Sequence, residues 1–328
     1  MRMSARSELP PEFVELPFSR IAAITAGVPA SRLRAKDLSA PFHGVRHGAQ
    51  VSDDLEWRCL AYLERMRAGN AFSHATAARL YGLPLPLYVR DIEQLHVATL
   101  AGHRPPNGRN VIGHEIAAHL WSHREVVVHD YARGHLFALP VVSPATVWAQ
   151  LAAVLDEADL VAVGDAIVGG DKPLAGVADL RSIPASWVRH RGAKSMASSA
   201  QQIRRGSLSR PESLVRLQCI AAGIPEPELN VVVQDRAGVD IAMADLVWSE
   251  FRVLVEYEGD GHRSSKGKFR SDITRVERYA DGEWFALRAH ADDVFGDPNP
   301  FIERLARRLR RAGWKPRREL RQIVGARP

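Results

Sequence analysis

The sequence predicts an α/β (α+β) protein whose C-terminal third is built on a mixed sheet, and three observations carry that expectation. Apolar runs of strand length, among them IAMADLVW and FRVLVEYE, occur in succession at 229–235, 239–246, 251–258 and 284–289, with turn residues between them. Helical periodicity flanks and interrupts them at 210–222, 268–280 and 299–312. The resulting order, α-β-β-β-α-β-α, requires a sheet with helices packed on its faces.

From the N-terminus, residues 1–50 read as a small winged-helix-like unit. Ser19 caps a helix that runs through Ala26 and stops at Gly27, and Pro29 with Ser31 opens a second helix carrying Arg32, Arg34 and Lys36. An extended piece, Phe42 to His47, follows. Two short helices around a tight turn resemble a helix-turn-helix, with Arg32 and Arg34 placed to meet DNA, although any αα-hairpin shares that outline. Residues 51–200 read as an α+β middle domain. Leu55 to Met66 is amphipathic, and Ser73 caps a helix over His74 to Tyr81 that Gly82-Leu-Pro ends. Strand-like runs come at His96–Thr99, Asn110–His114, Val126–Val128 and Leu136–Ala138, and helices at Ala145–Leu155 and Leu160–Val168. Residues 201–328 form the third domain. Its first helix begins after Ser209 and ends at Gly223.

Composition narrows the class. With 46% hydrophobic and 25% charged residues, the chain matches ordinary soluble globular proteins, and 328 residues suffice for two or three cores. The first residues lack the apolar stretch of a signal peptide. The most apolar segment, Leu151–Val168, is broken by Asp156, Glu157, Asp159 and Asp165, so no membrane span is expected. Cys59 and Cys219 give neither a disulfide framework nor a zinc site and suit a reducing cytoplasm. The formal charge is +6, unevenly spread. Phe301–Pro328 holds ten Lys/Arg against Glu303 and Glu319, and Trp187–Arg216 holds seven against Glu212 alone. Such tracts, Arg204 and Arg205 among them, fit a phosphate-backbone partner and equally a solvated tail and linker.

The densest chemistry lies between Asp245 and Arg275. Asp245 stands near the end of one apolar run, and Glu256 and Glu258 end the next. A turn, Gly259-Asp260-Gly261, then presents His262, followed by Lys266, Lys268, Asp272 and Arg275. Carboxylates on neighbouring strand ends repel one another unless protons or a cation neutralise them. Hard oxygen donors suit Mg²⁺ (or Mn²⁺), which takes one or two protein carboxylates together with phosphate oxygens. His262 is placed as a general base or to orient water. Arg275 can pair with Asp272 or hold a phosphate, beside Lys266 and Lys268. Glu212, in Ser209-Arg-Pro-Glu212, fits a capping box and also a supporting position beside the metal. His114-Glu115-Ile-Ala-Ala-His119 has one residue too many for HExxH, so a zinc-protease helix is excluded. His119, His123, His129 and His135 read as surface or strand residues.

Ser209–Trp314 resembles a family of predicted nucleases similar to very-short-patch-repair endonucleases of the PD-(D/E)xK superfamily. The matching segments are SRPESLVRL, AGIPEPELN, DLVWSEFRVLVEYEGDGHR, FRSDITRVERYADGEWFALR and AGW. The resemblance implies a restriction-endonuclease-like α-β-β-β-α-β core and Mg²⁺-dependent DNA hydrolysis. It implies catalytic roles for Asp245 and Glu256, a backbone ligand at Tyr257, and support from Glu212 and His262. Glu258 stands where the superfamily has lysine, so His262, Lys266 or Lys268 has to supply the positive charge. The N-terminal two-thirds resembles the AbiEi-type antitoxin arrangement, through FSHATAARLYGLPLP, VVVHDY and PVVSPATVWAQLA. That likeness implies DNA binding or autoregulation rather than a second enzyme, and it leaves open a non-catalytic regulator on a nuclease scaffold.

Overall fold

The computed structural model describes residues 8–48, 54–91, 93–130, 134–259 and 275–328. Among these the protein is a mixed α/β structure with three sheets, two of them mixed. The chain divides into two compact units, Met1–Leu83 with Tyr88–Leu151, and Pro84–Leu87 with Ala152–Pro328.

In the first unit, β1 (Phe18–Ser19), β2 (Leu38–Ser39) and β3 (Val45–Gly48) form a small sheet in the order β1-β3-β2. Helix α1 (Arg20–Thr25) starts where expected: Ser19 Oγ accepts from the Ala22 amide at 3.1 Å. It stops at Gly27, which adopts φ +85°. The expected second helix is instead a single 3-10 turn, Arg32–Arg34. Ser31 forms no side-chain cap, and Ala35 turns extended. The Arg32 guanidinium folds back onto Asp37 in two bonds of 3.0 and 2.8 Å. Phe13, Phe18, Ala23, Val28 and Leu33 fill the small core beneath.

Then come α2 (Leu55–Leu63), β4 (Asn70–Phe72), α3 (His74–Leu80), α4 (Leu87–Arg90), β5 (Leu95–Leu100), β6 (Val111–Ile116), β7 (His123–Asp130), β8 (His135–Val142) and α5 (Pro144–Leu151). The five-stranded sheet runs β6-β5-β4-β8-β7. Its central strand, β4, is buried along all three residues, so it shows no polar alternation by which the sequence could reveal it.

The second unit contains α6 (Glu157–Val168), α7 (Val177–Ser186), α8 (Ala193–Gln202), α9 (Arg210–Ala222), β9 (Glu228–Gln234), β10 (Asp240–Trp248), β11 (Val253–Glu258), α10 (275–281), β12 (Phe285–His290), α11 (Ala291–Phe295) and α12 (Asn299–Arg311). Its sheet runs β12-β11-β10-β9, with β11 and β12 parallel and the other pairs antiparallel. One face, carrying Leu246, Trp248, Val253 and Val255, packs with Leu214 and Val215 of α9 and Phe301 and Leu305 of α12. The other, carrying Val247 and Leu254, packs with Tyr279 and Trp284. From α9 onward the element order is the one the sequence predicts, with α11 added, whereas α7 and α8 are not foreseen in it.

Not all of the basic residues are free for a phosphate partner. Arg216 is fully buried and donates to Asp165 Oδ2 at 2.9 Å, while Ser213 Oγ and the Arg204 amide donate to the same carboxylate at 2.8 and 2.7 Å. Burial pushes the Asp165 carboxyl up, against the pull of Arg216 and these hydrogen bonds. In α12, Arg308 lies over the Phe285 ring, 3.9 Å from its centre. Cys59 and Cys219 are buried free thiols. No described helix is long and apolar enough to cross a membrane.

Candidate functional site

Strand register places the acidic residues. β10 pairs with β11 only over Leu246–Trp248 against Val255–Val253, and the ladder ends before Asp245 and Glu256, the next residues in register. Directly opposed residues of an antiparallel pair share a face, so both carboxylates project from the face that carries Val247 and Leu254. The strands part here because Asp245 Oδ2 itself takes the Tyr257 amide, at 2.7 Å. On the other side, β9 pairs at Leu229↔Leu246 and Val231↔Ala244, which leaves Asn230 opposite Asp245. Asn230 has φ +48°, a left-handed backbone that asparagine tolerates better than most residues. Ladder hydrogen bonding is thus interrupted on both sides of one aspartate.

Around this fork the partners are specific. Tyr279 Oη, from α10, donates to Glu256 Oε1 at 2.7 Å. Arg275 Nη1, at the start of the described part of α10, stands 3.6 Å from Glu256 Oε2. Glu212, in the first turn of α9, accepts from Asn230 Nδ2 (2.7 Å), the Leu208 amide (2.9 Å) and Ser209 Oγ (2.7 Å). The expected cap is present, with the glutamate reaching Leu208 instead of the N-cap amide. Asn230 therefore links Glu212 to the position facing Asp245.

Electrostatics follow from this crowding. The Asp245 carboxyl is pushed up to about 7, first by burial and then by the charges of Glu256 and Glu212, against the Tyr257 hydrogen bond and Arg275. Burial also raises the Tyr279 phenol, as does its hydrogen bond to Glu256, so it stays a donor across the physiological range. Three carboxyl groups, those of Asp245, Glu256 and Glu212, thus gather at one corner of the sheet, and all offer hard oxygens. That combination fits a divalent cation of the Mg²⁺ type.

Other expected residues fall elsewhere. Glu258 pairs with Arg288 at 3.0 Å and lies 3.6 Å from His290 Nδ1, because the parallel register sets β12 beside it. It is neutralised there. Arg32 is buried in its pair with Asp37, and Arg34 ends the same 3-10 turn. Arg204 pairs with Glu226 at 3.0 Å, and Arg205 donates to the Val168 carbonyl at 3.2 Å. His262, Lys266 and Lys268 lie outside the described residues, as do Asp260 and Asp272.

Two further features escaped the sequence reading. In the first unit, Arg65, Arg67, Arg104 and Arg109 line a concave cavity of about 400 Å³ with Tyr62 and Phe42, and no carboxylate is among its described lining residues. In the same unit, His74, His96 and His114 bring ring nitrogens within 4.8 Å of one another, the one such group of three metal-binding side chains among the described residues. No family model matches the chain, and no curated protein or solved structure is significantly similar to it.

Proposed function

We propose that the protein is a metal-dependent DNA endonuclease whose second unit has a restriction-endonuclease-like core. The observation that carries this reading is the fork at Asp245 and Glu256, two opposed carboxylates on one sheet face whose ladder has opened. Asp245 and Glu256 would hold Mg²⁺ or Mn²⁺, with the Tyr257 backbone beside them. When bound, the cation supplies Lewis-acid polarisation of the phosphate and acidifies water. The protein's part is positional. The Tyr257 amide fixes Asp245 Oδ2, and the Tyr279 hydroxyl fixes Glu256 Oε1. Arg275 supplies a positive side chain at the fork, suited to a scissile phosphate. Glu212, held through Asn230, adds negative charge behind Asp245. His262 is assigned the proton transfer that the reaction requires. The first unit would target DNA, with the arginine-lined cavity as a phosphate-binding surface.

A second reading, a non-catalytic DNA-binding regulator on a nuclease scaffold, is favoured by one observation. The superfamily lysine position holds Glu258, and Arg288 neutralises that glutamate. Supercoiled plasmid separates the two. The enzyme nicks or linearises it with Mg²⁺ or Mn²⁺, stops with chelator, and loses this activity in Asp245→Asn. Plasmid that stays supercoiled under all these conditions while still being bound assigns the protein to the regulator class.

A further inference from the structure

We propose that His74, His96 and His114 form a second metal site, in the first unit, for a borderline divalent ion of the zinc class. The site is chemically distinct from the carboxylate fork and does not rest on the nuclease reading. The fold assembles it from three elements. His96 lies on β5 and His114 on β6, neighbouring parallel strands in which Ala98 is the partner of His114. The two imidazoles therefore sit on one face, two residues apart along the sheet. His74 is the first residue of α3, and its φ of +49° lies in the left-handed region that is uncommon for non-glycine residues. That backbone is held by the Gln150 Oε1 acceptor, 3.0 Å from the His74 amide. The His74 and His114 rings are 3.7 Å apart, centre to centre, and the His96 and His114 rings 5.1 Å.

The approach of two ring nitrogens within this three-histidine cluster suits a cation. His96 Nδ1 and His114 Nε2 are 2.9 Å apart, so a single proton lies between two nitrogen lone pairs. A cation between His96 and His114 replaces the shared proton, which moves to the other nitrogen of the ring that held it, so no net proton is released. The two nitrogens then separate to about 3.3 Å, the spacing set by bonds of about 2.0 Å in a tetrahedron. The His74 ring has to rotate out of its stack to aim a lone pair at the same ion.

Burial favours the uncharged form of all three rings, and the neighbouring imidazoles add to it at His74 and His114, with His114 pushed down to about 4 and His74 held well below the usual histidine range. Neutral imidazole is the ligating form, and it selects Zn²⁺, Co²⁺, Ni²⁺ or Cu²⁺ over Mg²⁺. Three protein nitrogens leave one tetrahedral position for water or a small ligand. The ion would also tie α3 to the β5–β6 edge of the sheet.

The test uses the full chain carrying Asp245→Asn, stripped with chelator, so that the fork does not compete. Titration with Co²⁺ is followed by its visible absorption, and Zn²⁺ by competition and by melting temperature. The expected result is one equivalent of Co²⁺ in a nitrogen environment, displaced by Zn²⁺, with melting raised by Zn²⁺. His114→Gln and, separately, His74→Asn each weaken binding by about tenfold or more, and His119→Ala, at an exposed position, leaves it unchanged. Melting in chelator shows that each variant is folded, and the milder His74→Asn carries the test if His114→Gln is not. Absence of stoichiometric Co²⁺ binding overturns the proposal. So does binding that a folded variant retains at full affinity.

Discussion

Replacing Asp245 by Asn removes the charge around which the carboxylate fork is built while keeping an oxygen that accepts from the Tyr257 amide. The folded protein holds this carboxyl at about 7 against an ordinary value of 3.8. At about 1.4 kcal/mol per pKa step, that difference corresponds to roughly 4 kcal/mol, and solvent screening of a half-buried group reduces it to about 2 kcal/mol. The sign follows from linkage. A raised folded-state value favours the protonated native state, so the penalty is absent below about pH 4, grows between pH 4 and 7, and is complete above pH 7. Thermal unfolding of the full chain in chelator is the assay. At pH 8, Asp245→Asn should melt several degrees above wild type, at about 2–4 °C per kcal/mol. At pH 5 the gap should shrink to under half. Millimolar Mn²⁺ should raise wild-type melting and leave the variant where it was. Equal melting of the two proteins at both pH values would refute the argument that Asp245 is an uncompensated charge.

Further outcomes test separate parts of the account. Tyr279→Phe deletes the hydroxyl that holds Glu256 and should weaken Mn²⁺ binding about tenfold, with melting in chelator little changed; unaltered metal affinity would remove Tyr279 from the site. Arg216→Ala leaves Asp165 buried without its counter-charge and should cost about 3–5 kcal/mol in urea denaturation, far more than an exposed arginine. A loss under 1 kcal/mol would mean that water reaches Asp165. Arg104→Ala with Arg109→Ala should lower the slope of log DNA affinity against log salt by about 2 if both meet phosphates. The same slope in the double variant would assign the cavity to something other than DNA.

Much of the second unit is legible in the sequence because its punctuation is local. Ser209 and Gly223 bracket α9, and the strand-length apolar runs between turn residues give β9, β10 and β11 almost residue by residue. Asp245 and Glu256 stand out because acids at the ends of apolar runs are costly without compensation, and the structure sets them opposite each other. Features fixed by register stay hidden. The capture of Glu258 by Arg288 depends on where β12 docks, and the position of Asn230 opposite Asp245 depends on the β9–β10 pairing. Helices α7 and α8 went unread, since the basic stretch around them resembles a linker and their apolar positions are few. The three histidines are the extreme case. They come from separate segments, each with a lone imidazole, and only the folding of α3 against β5 and β6 gathers them. At Arg32–Arg34 the opposite holds: helical signals are present, yet with no side-chain cap at Ser31 and Ala35 extended the chain makes one 3-10 turn.

The central claim is that Asp245 and Glu256 together seat one divalent cation. Crystals of the full chain soaked in Mn²⁺ test it most directly through the anomalous scattering of the ion. The account predicts a single strong peak within bonding distance of a carboxylate oxygen from each of Asp245 and Glu256, about 2.0–2.2 Å for a hard cation of this size, lost in Asp245→Asn. A peak elsewhere, with none between these two side chains at saturating Mn²⁺, would contradict it.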